Sequence, residues 1–401
     1  MLTSPILSAA LSIKDEIIAD KRRLHSYPEL GMKERLTTEF VLHRLGELGI
    51  PTQPLDLEVG AVGLIRGNGN GPERDNCPSS RHGRPSHSGD RRRAGQVDYQ
   101  RRHARLRPRL PYCDAARRGE ATDGPEGQFS GTVKLLFQPA EETLQGSRYL
   151  IDHGALENPH VDTIIGLHGT SDFHTGEMAF LEGPAMASSD SFIVTVTGEA
   201  SHGAYPHVSG RDPLLAAANC IVALQGLVTR QFNAIDSLVL SVCEIHGGKA
   251  PNAIPQAVSF SGTVRTQCEA VRRQVEGRMN TMLADICAGY GCTHTTEYRY
   301  GVPPLVNDPE MVASARRAAC NLLGADKVKT LPYPSMGSED FAFYGERVPK
   351  SVFARLGVWT AQKPQPKYHN GEFVFDEDAL PLGTAFFVQI VQELLGPSAG
   401  H

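Results

Sequence analysis

Apolar residues recur at helical spacing from residue 13 to residue 48, and Gly49 follows as a stop signal. Inside that run, Leu24-His25-Ser26-Tyr27-Pro28-Glu29-Leu30-Gly31 places a proline and a glycine where a continuous helix tolerates neither, so the spacing predicts an interruption there. Thr132–Phe137 is rich in β-formers and runs into Gln138-Pro139, which predicts a buried strand ending in a loop. Residues 162–168 repeat the plan, a short apolar strand with His168 at its carboxyl end. Open α/β sheets bind ligands beyond the carboxyl ends of their strands, so these two ends are expected to share one site.

The texture changes at Ser191. Residues 192–198 alternate, 212–227 read as a helix, 238–242 as a strand, 258–265 alternate again, and 271–287 are helical. That βαββαβ-like order predicts a small α+β, ferredoxin-like unit over residues 188–298. It would be inserted in a larger α/β domain made of residues 1–187 and 299–401, with a central mixed sheet flanked by helices.

One stretch fits neither pattern. Residues 72–127 hold 13 of the 30 arginines, no lysine, isoleucine, phenylalanine or methionine, and Val97 as their one valine. Nothing there makes a core strand or an amphipathic helix. It reads as a basic insertion without structure of its own, or as a nucleic-acid-binding arm.

Composition narrows the class. A length of 401 residues suits two domains, and 40% hydrophobic with 21% charged residues describes a soluble globular chain. The net charge of -5 gives no reason to expect nucleic acid or an anionic membrane as partner. No apolar run approaches the roughly 20 residues that span a bilayer. Lys14, Asp15 and Glu16 stand where a signal peptide would need apolar residues. Eight cysteines without paired spacing fit reduced thiols, so a cytoplasmic enzyme or binding protein is expected.

The candidate chemistry sits at the strand ends. Glu141 and Glu142 are adjacent, and on a looping backbone their side chains diverge, so one can hold metal while the other activates water. His168 follows at the next strand end, and His369 stands in Tyr368-His369-Asn370-Gly371. A Glu-Glu pair is also what a solvated surface pair looks like, and a strand-end histidine is also what a satisfied polar residue looks like.

Eight ordered motifs carry a resemblance that reaches across the chain outside 72–127. They are Arg23-Leu-His-Ser-Tyr-Pro-Glu-Leu30, Phe137-Gln-Pro-Ala-Glu-Glu142, Gly166-Leu-His168, Ser201-His-Gly-Ala-Tyr-Pro-His207, Gly247-Gly-Lys-Ala-Pro-Asn252-Ala-Ile-Pro255, Gly262-Thr-Val-Arg265, Met336-Gly-Ser-Glu-Asp-Phe341 and Tyr368-His369. Together they resemble the metal-dependent amidohydrolases of the peptidase M20 family. The similarity is to the branch with hippurate hydrolase, N-acyl-amino-acid amidohydrolases and indoleacetyl-amino-acid hydrolases.

The resemblance implies a metallopeptidase-like catalytic domain and makes residues 188–298 a lid that dimerises or tetramerises. It implies Glu141 as general base and Glu142, His168 and His369 as ligands of two divalent ions (zinc, manganese, nickel or cobalt). Those ions polarise the amide carbonyl and acidify a bridging water. His202 would reach a neighbouring active site to stabilise the oxyanion, with Asn252 and Arg265 binding substrate. A loop histidine capping a turn is the lesser alternative for His202, and Arg265 equally suits a partner for a surface carboxylate. Glu339 and Asp340 read better as helix caps than as catalytic residues.

Two family elements are missing, one reading LRADMDALPI and one reading MHACGHDxHxxxLLGAA, the second of which supplies a bridging cysteine and a histidine ligand. Cys113 is the nearest cysteine in position, but no histidine stands beside it at the motif's spacing. Shifting the reading frame by one base restores both. Pro78-Ser-Ser-Arg-His-Gly-Arg-Pro-Ser-His87 permits codons that read LRADMDALP one base later, and the run from His103 to Tyr112 likewise permits MHACGHDxHT. The run from Cys113 to Glu126 permits AMLLGAARLLMARR in the same frame, an amphipathic helix. A pair of compensating shifts near Gly71 to Cys77 and near Gly127 accounts for the arginines without a function for them.

The expected activity is hydrolysis of the amide of an N-acyl or N-aroyl amino acid such as hippurate. The competitors are an inactive substrate-binding relic and a dipeptidase or aminopeptidase of the same family. A tryptic map of the protein made by its own gene separates the two origins of the 72–127 segment. Peptides containing Cys-Gly-His-Asp would establish that the cellular protein carries the hidden motifs and is an ordinary enzyme. Peptides reading DNCPSSR or HGRPSHSGDR would establish the segment as real, and that chain is expected to fold poorly, bind metal weakly and lack hydrolytic activity.

Overall fold

The computed structural model describes residues 4–67, 129–362 and 375–397. The arginine-rich segment 72–127, with Cys113, and the candidate ligand His369 lie outside the described residues. The chain runs through α1 (Pro5–Ser12), α2 (Lys14–Ser26), α3 (Arg35–Glu47), β1 (Ala61–Arg66), β2 (Thr132–Phe137), α4 (Gly146–Asp152), β3 (Ile164–His174), β4 (Met178–Phe180) and β5 (Gly183–Met186). It continues with β6 (Ser189–Thr197), β7 (Ser201–His202), α5 (Pro206–Ser209), α6 (Pro213–Arg230), β8 (Leu238–Gly247), β9 (Ala253–Ile254), β10 (Ala257–Thr266), α7 (Glu269–Gly289) and β11 (Thr293–Val302). The last elements are β12 (Leu305–Asn307), α8 (Pro309–Leu323), β13 (Val328–Thr330), α9 (Ala342–Arg347), β14 (Ser351–Trp359) and α10 (Ala379–Leu395).

The predicted interruption is real: α2 stops at Ser26 and α3 starts at Arg35. Later helices start at strong local signals. Asp212 accepts hydrogen bonds from the Leu214 and Leu215 amides ahead of Pro213, and Asp308 accepts from Met311 ahead of Pro309. Each cap satisfies amides that have no partner within their helix, and each proline sits where its missing N–H costs nothing.

A mixed sheet in the order β13-β4-β14-β3 holds β14 parallel to β3, β13 parallel to β4, and β14 antiparallel to β4. Helices α8 and α10 bury Met311, Ala315, Ala319, Phe386 and Ile390 against Leu167, Phe180, Val352 and Ala354 from its strands. Beside it, β1 and β2 form an antiparallel pair packed on α2 and α3 through Phe40, Leu45, Ala61 and Leu135.

Strands β6, β8, β10 and β11 form a separate antiparallel sheet in the order β11-β6-β10-β8, the strand order of a ferredoxin-like unit. Its core is its own: α6 contributes Ala216, Ala217, Cys220 and Leu224, α7 contributes Val275, Met279 and Leu283, and the sheet contributes Phe192, Val194 and Phe260. Among the described residues α6 alone has the length and apolarity to cross a membrane, and its inward face is this core.

Where β6 begins and β11 ends, one ion pair is almost fully buried. Arg272 Nη2 lies 2.7 Å from Asp190 Oδ1, with side-chain exposures of 2% and 0%. The Tyr298 hydroxyl and the Gly301 amide also donate to Asp190, and Arg272 donates to the Gly301 carbonyl. A charge taken out of water is tolerated only with such complete pairing. Arg272→Met, which leaves Asp190 buried without its counter-ion, is expected to cost about 3–5 kcal/mol in chemical denaturation. A loss below 1 kcal/mol would show the pair to be dispensable.

Candidate active site

Glu141 and Glu142 lie in the loop that leaves β2 and enters α4. That loop is unusual in its backbone. Ala140 has φ 50° and Leu144 φ 57°, both in the left-handed region that side chains avoid. Gly146 begins α4 so close to the Pro139 carbonyl oxygen that any Cβ would overlap it. A loop this tight persists only where the surroundings over-determine it.

Two carboxylates from remote segments do so. The Ala140 amide donates to Glu34 Oε1 at 2.8 Å. Gln138 Nε2 donates to both oxygens of Asp340, at 2.9 and 2.7 Å. Asp340 Oδ2 also accepts from the Ser147 amide at 3.0 Å, and the Asp340 carbonyl accepts from the Ser147 hydroxyl at 2.7 Å. Asp340 is fully buried. The helix-cap reading of Asp340 is therefore corrected: α9 has no side-chain cap, because this carboxylate is turned onto the 138–147 loop instead. Glu339, also buried, accepts from the Phe341 amide at 3.3 Å.

His168 sits on β3 opposite Arg355 of β14. Its Nδ1 lies 2.6 Å from the Gly169 carbonyl oxygen. A carbonyl only accepts, so Nδ1 carries a proton, and in the neutral ring Nε2 carries the lone pair, the tautomer of a metal-ligating imidazole. The ring is 6.1 Å from Phe353, which packs on Phe341 next to Asp340, and so joins the β3 site to the Glu-Glu loop.

His202 and Asn252 are brought together by the short β7–β9 pairing, in which His202 faces Ala253 and the Gly203 amide donates to the Asn252 carbonyl at 2.8 Å. Both residues are exposed. His202 Nδ1 accepts from the Ala204 amide at 3.1 Å, so the neutral ring presents Nε2–H outward. Arg265, at the end of β10, is half-buried and donates from Nη1 to Ser338 Oγ at 3.0 Å. Burial pushes its pKa down and Asp190 opposes that shift, but a guanidinium stays charged. Ser237 and Gln267 donate to Met336 Sδ, so the insertion touches the 336–338 loop at three side chains.

Metal fit can be judged on the donors. Glu142 supplies a carboxylate and His168 an imidazole in the right tautomer. Among the described residues, however, no group of three His, Cys, Asp or Glu side chains could hold a metal ion. With His369 outside the described residues and the cysteine motif missing from the sequence, the donors described here do not complete a dinuclear centre.

Sequence reasoning missed Glu34, Gln138, Asp340 and Ser147 as a set. The signal was faint: a glutamate six residues beyond Pro28, and a glutamine ahead of Pro139.

Comparison with known proteins supplies the context. The family model described as Peptidase family M20/M25/M40 matches residues 121–393. An N-acetyl-L-cysteine deacetylase from Bacillus subtilis is 34% identical over 397 residues, covering 96% of this chain and 89% of the relative. An IAA-amino acid hydrolase from Arabidopsis thaliana is 28% identical over 406 residues, covering 95% and 86%. Among solved structures, a dinuclear metal-binding peptidase of the M20 family from Bacillus subtilis superposes with TM-score 0.73 at 26% identity, covering 96% of this chain and 99% of that one.

The loop's brace has its own support in Glu29, whose carboxylate accepts from the Leu36 and Thr37 amides at 3.0 and 2.8 Å and so caps α3. Burial pushes the Glu29 pKa up, but those amide hydrogen bonds outweigh it and hold the value below the ordinary 4.5. A depressed folded pKa gives stability above the unfolded value and loses it as pH falls through the folded one. Glu29→Ala is therefore expected to cost about 1 kcal/mol at neutral pH. In thermal melts the gap between variant and parent should close as pH drops below 4.5; a gap independent of pH would rule out the ionised cap.

Proposed function

The chain belongs to peptidase family M20/M25/M40 and is an amide-hydrolysing enzyme, and from that premise we propose that it cleaves the amide of N-acyl or N-aroyl amino acids, hippurate among them. The products are a carboxylic acid and an amino acid. The observation that carries this reading is the Glu141-Glu142 loop, held in a left-handed conformation at the carboxyl end of β2. Strain imposed at a strand end points to function more often than to packing.

In this reading Glu141 takes a proton from water as the oxygen attacks the amide carbonyl. It returns that proton to the leaving nitrogen as the C–N bond breaks. His202 donates from Nε2–H to the developing oxyanion in the active site of a second copy. Arg265 pairs with the substrate carboxylate, and Asn252 orients the amide. Glu142, His168 and His369 are this chain's own proposed ligands for two divalent ions, zinc, manganese, nickel or cobalt. Among the described residues the donors do not complete that centre.

Residues 188–298 serve as lid and dimerisation unit in a homodimer or homotetramer. The support is an apolar outward face on α6, with Leu214, Leu215 and Val222 exposed, beside the edge strand β8 with Val239 and Ile245 exposed. Six free cysteines among the described residues favour the cytoplasm.

A second reading, a substrate-binding chain without a metal centre, draws on the missing cysteine motif. It shares Arg265 and Asn252 but not catalysis.

A panel of benzoyl, acetyl and indoleacetyl amino acids tests the proposal. Turnover is expected to disappear with a chelator and return with added divalent metal, and Glu141→Gln is expected to lower kcat by about 10²–10⁴-fold. Activity indifferent to both would refute the mechanism. Calorimetric binding of an acyl amino acid without turnover would select the second reading.

A further inference from the structure

Glu34 has no part in the reaction as proposed, yet its carboxylate is committed to a backbone amide inside the catalytic loop. We propose that Glu34 and Asp340 act together as a two-carboxylate clamp that sets the position of Glu141, making both of them positioning residues for hydrolysis. The proposal rests on the reading of Glu141 as the general base.

The clamp brackets Glu141 in sequence and in space. On its amino side, Glu34 holds the Ala140 amide, 106 residues away in sequence, and Asp340 holds the Gln138 side chain, 202 residues away. On its carboxyl side, Asp340 holds both the amide and the hydroxyl of Ser147. Ala140, one residue before Glu141, is the position at φ 50°, and its amide is the one Glu34 grips. Rotation of that peptide would break the hydrogen bond and swing the following side chain. Gly31, three residues before Glu34, packs directly on the loop: a Cβ there would lie 3.2 Å from Thr143 Oγ1 and in ordinary contact with Ala140 Cα.

The local sequence shows that Glu34 is released for this use. It stands directly before α3, where an acidic side chain ordinarily caps its own helix. It makes no such cap, because Glu29 reaches forward to the Leu36 and Thr37 amides. Two glutamates five residues apart thus divide the work, one capping the helix and the other turned away to the catalytic loop. A general base must be held within a fraction of an ångström of its working position, which is the need such a clamp meets.

The test is amide hydrogen exchange on the full chain, read over residues 138–147, with E34A, E34Q and D340N. E34A is expected to speed exchange at Ala140 at least about tenfold, while E34Q, whose amide oxygen still accepts, stays within about threefold of the parent. D340N, which keeps one acceptor oxygen, is expected to speed exchange at Ser147, and it carries the test if E34A does not fold. Exchange unchanged in folded E34A or D340N would overturn the clamp. In turnover, E34A is expected to lower kcat by about 10–100-fold with KM nearly constant, and E34Q to recover most of it. A rise in KM with kcat intact would also overturn the positioning role. E141Q separates this from the reading beneath it: activity that survives E141Q refutes Glu141 as base, and the exchange results then judge the clamp alone.

Discussion

A buried carboxylate must be supplied with hydrogen-bond donors, and Asp340 takes its donors from both ends of the loop that carries Glu141 and Glu142. Much of the site follows from that requirement. Turning Gln138 outward would remove two of the hydrogen bonds that Asp340 accepts. Ser147 is fixed at the start of α4, and the residues between are drawn into a turn so tight that Ala140 and Leu144 adopt left-handed backbones. The 336–341 segment is in turn anchored by Phe341 against Phe353, whose ring also meets His168, so the loop, the β3 histidine and the buried aspartate form one packed unit.

The insertion is built on a different principle. Its sheet and two helices enclose a core without residues from the rest of the chain, and the Asp190–Arg272 pair stitches its first and last strands together. It reaches the other half of the site through Arg265, Ser237 and Gln267, which touch the 336–338 loop. That loop leads directly to Asp340. Arg265 and the loop that carries Glu141 therefore both contact the 336–341 segment, with His202 and Asn252 displayed separately on the β7–β9 pair.

Much of this was legible in one dimension. Helical spacing with a proline and a glycine inside it located the break between α2 and α3, and strict alternation located β6 and β10. The family resemblance rested on eight motifs, and the comparisons bear out the family. What spacing could not show was which side chains reach across the fold. Asp340 reads as a helix cap from its neighbours alone, because nothing local reveals that Gln138 and Ser147 arrive beside it. Glu34 drew no notice for the same reason, since the cap from Glu29 that frees it appears only when the 27–34 segment folds back. His369 and the 72–127 segment lie outside the described residues, so their expected roles rest on the sequence.

The sequence by itself determined most of the elements and the family, and it named the candidates for acid–base chemistry, because periodicity and motif are properties of neighbours along the chain. The tertiary structure decided what holds those residues in place. A buried acid chooses its partners by proximity in space and by the cost of leaving it unpaired, and the partners of Asp340 stand about two hundred residues away.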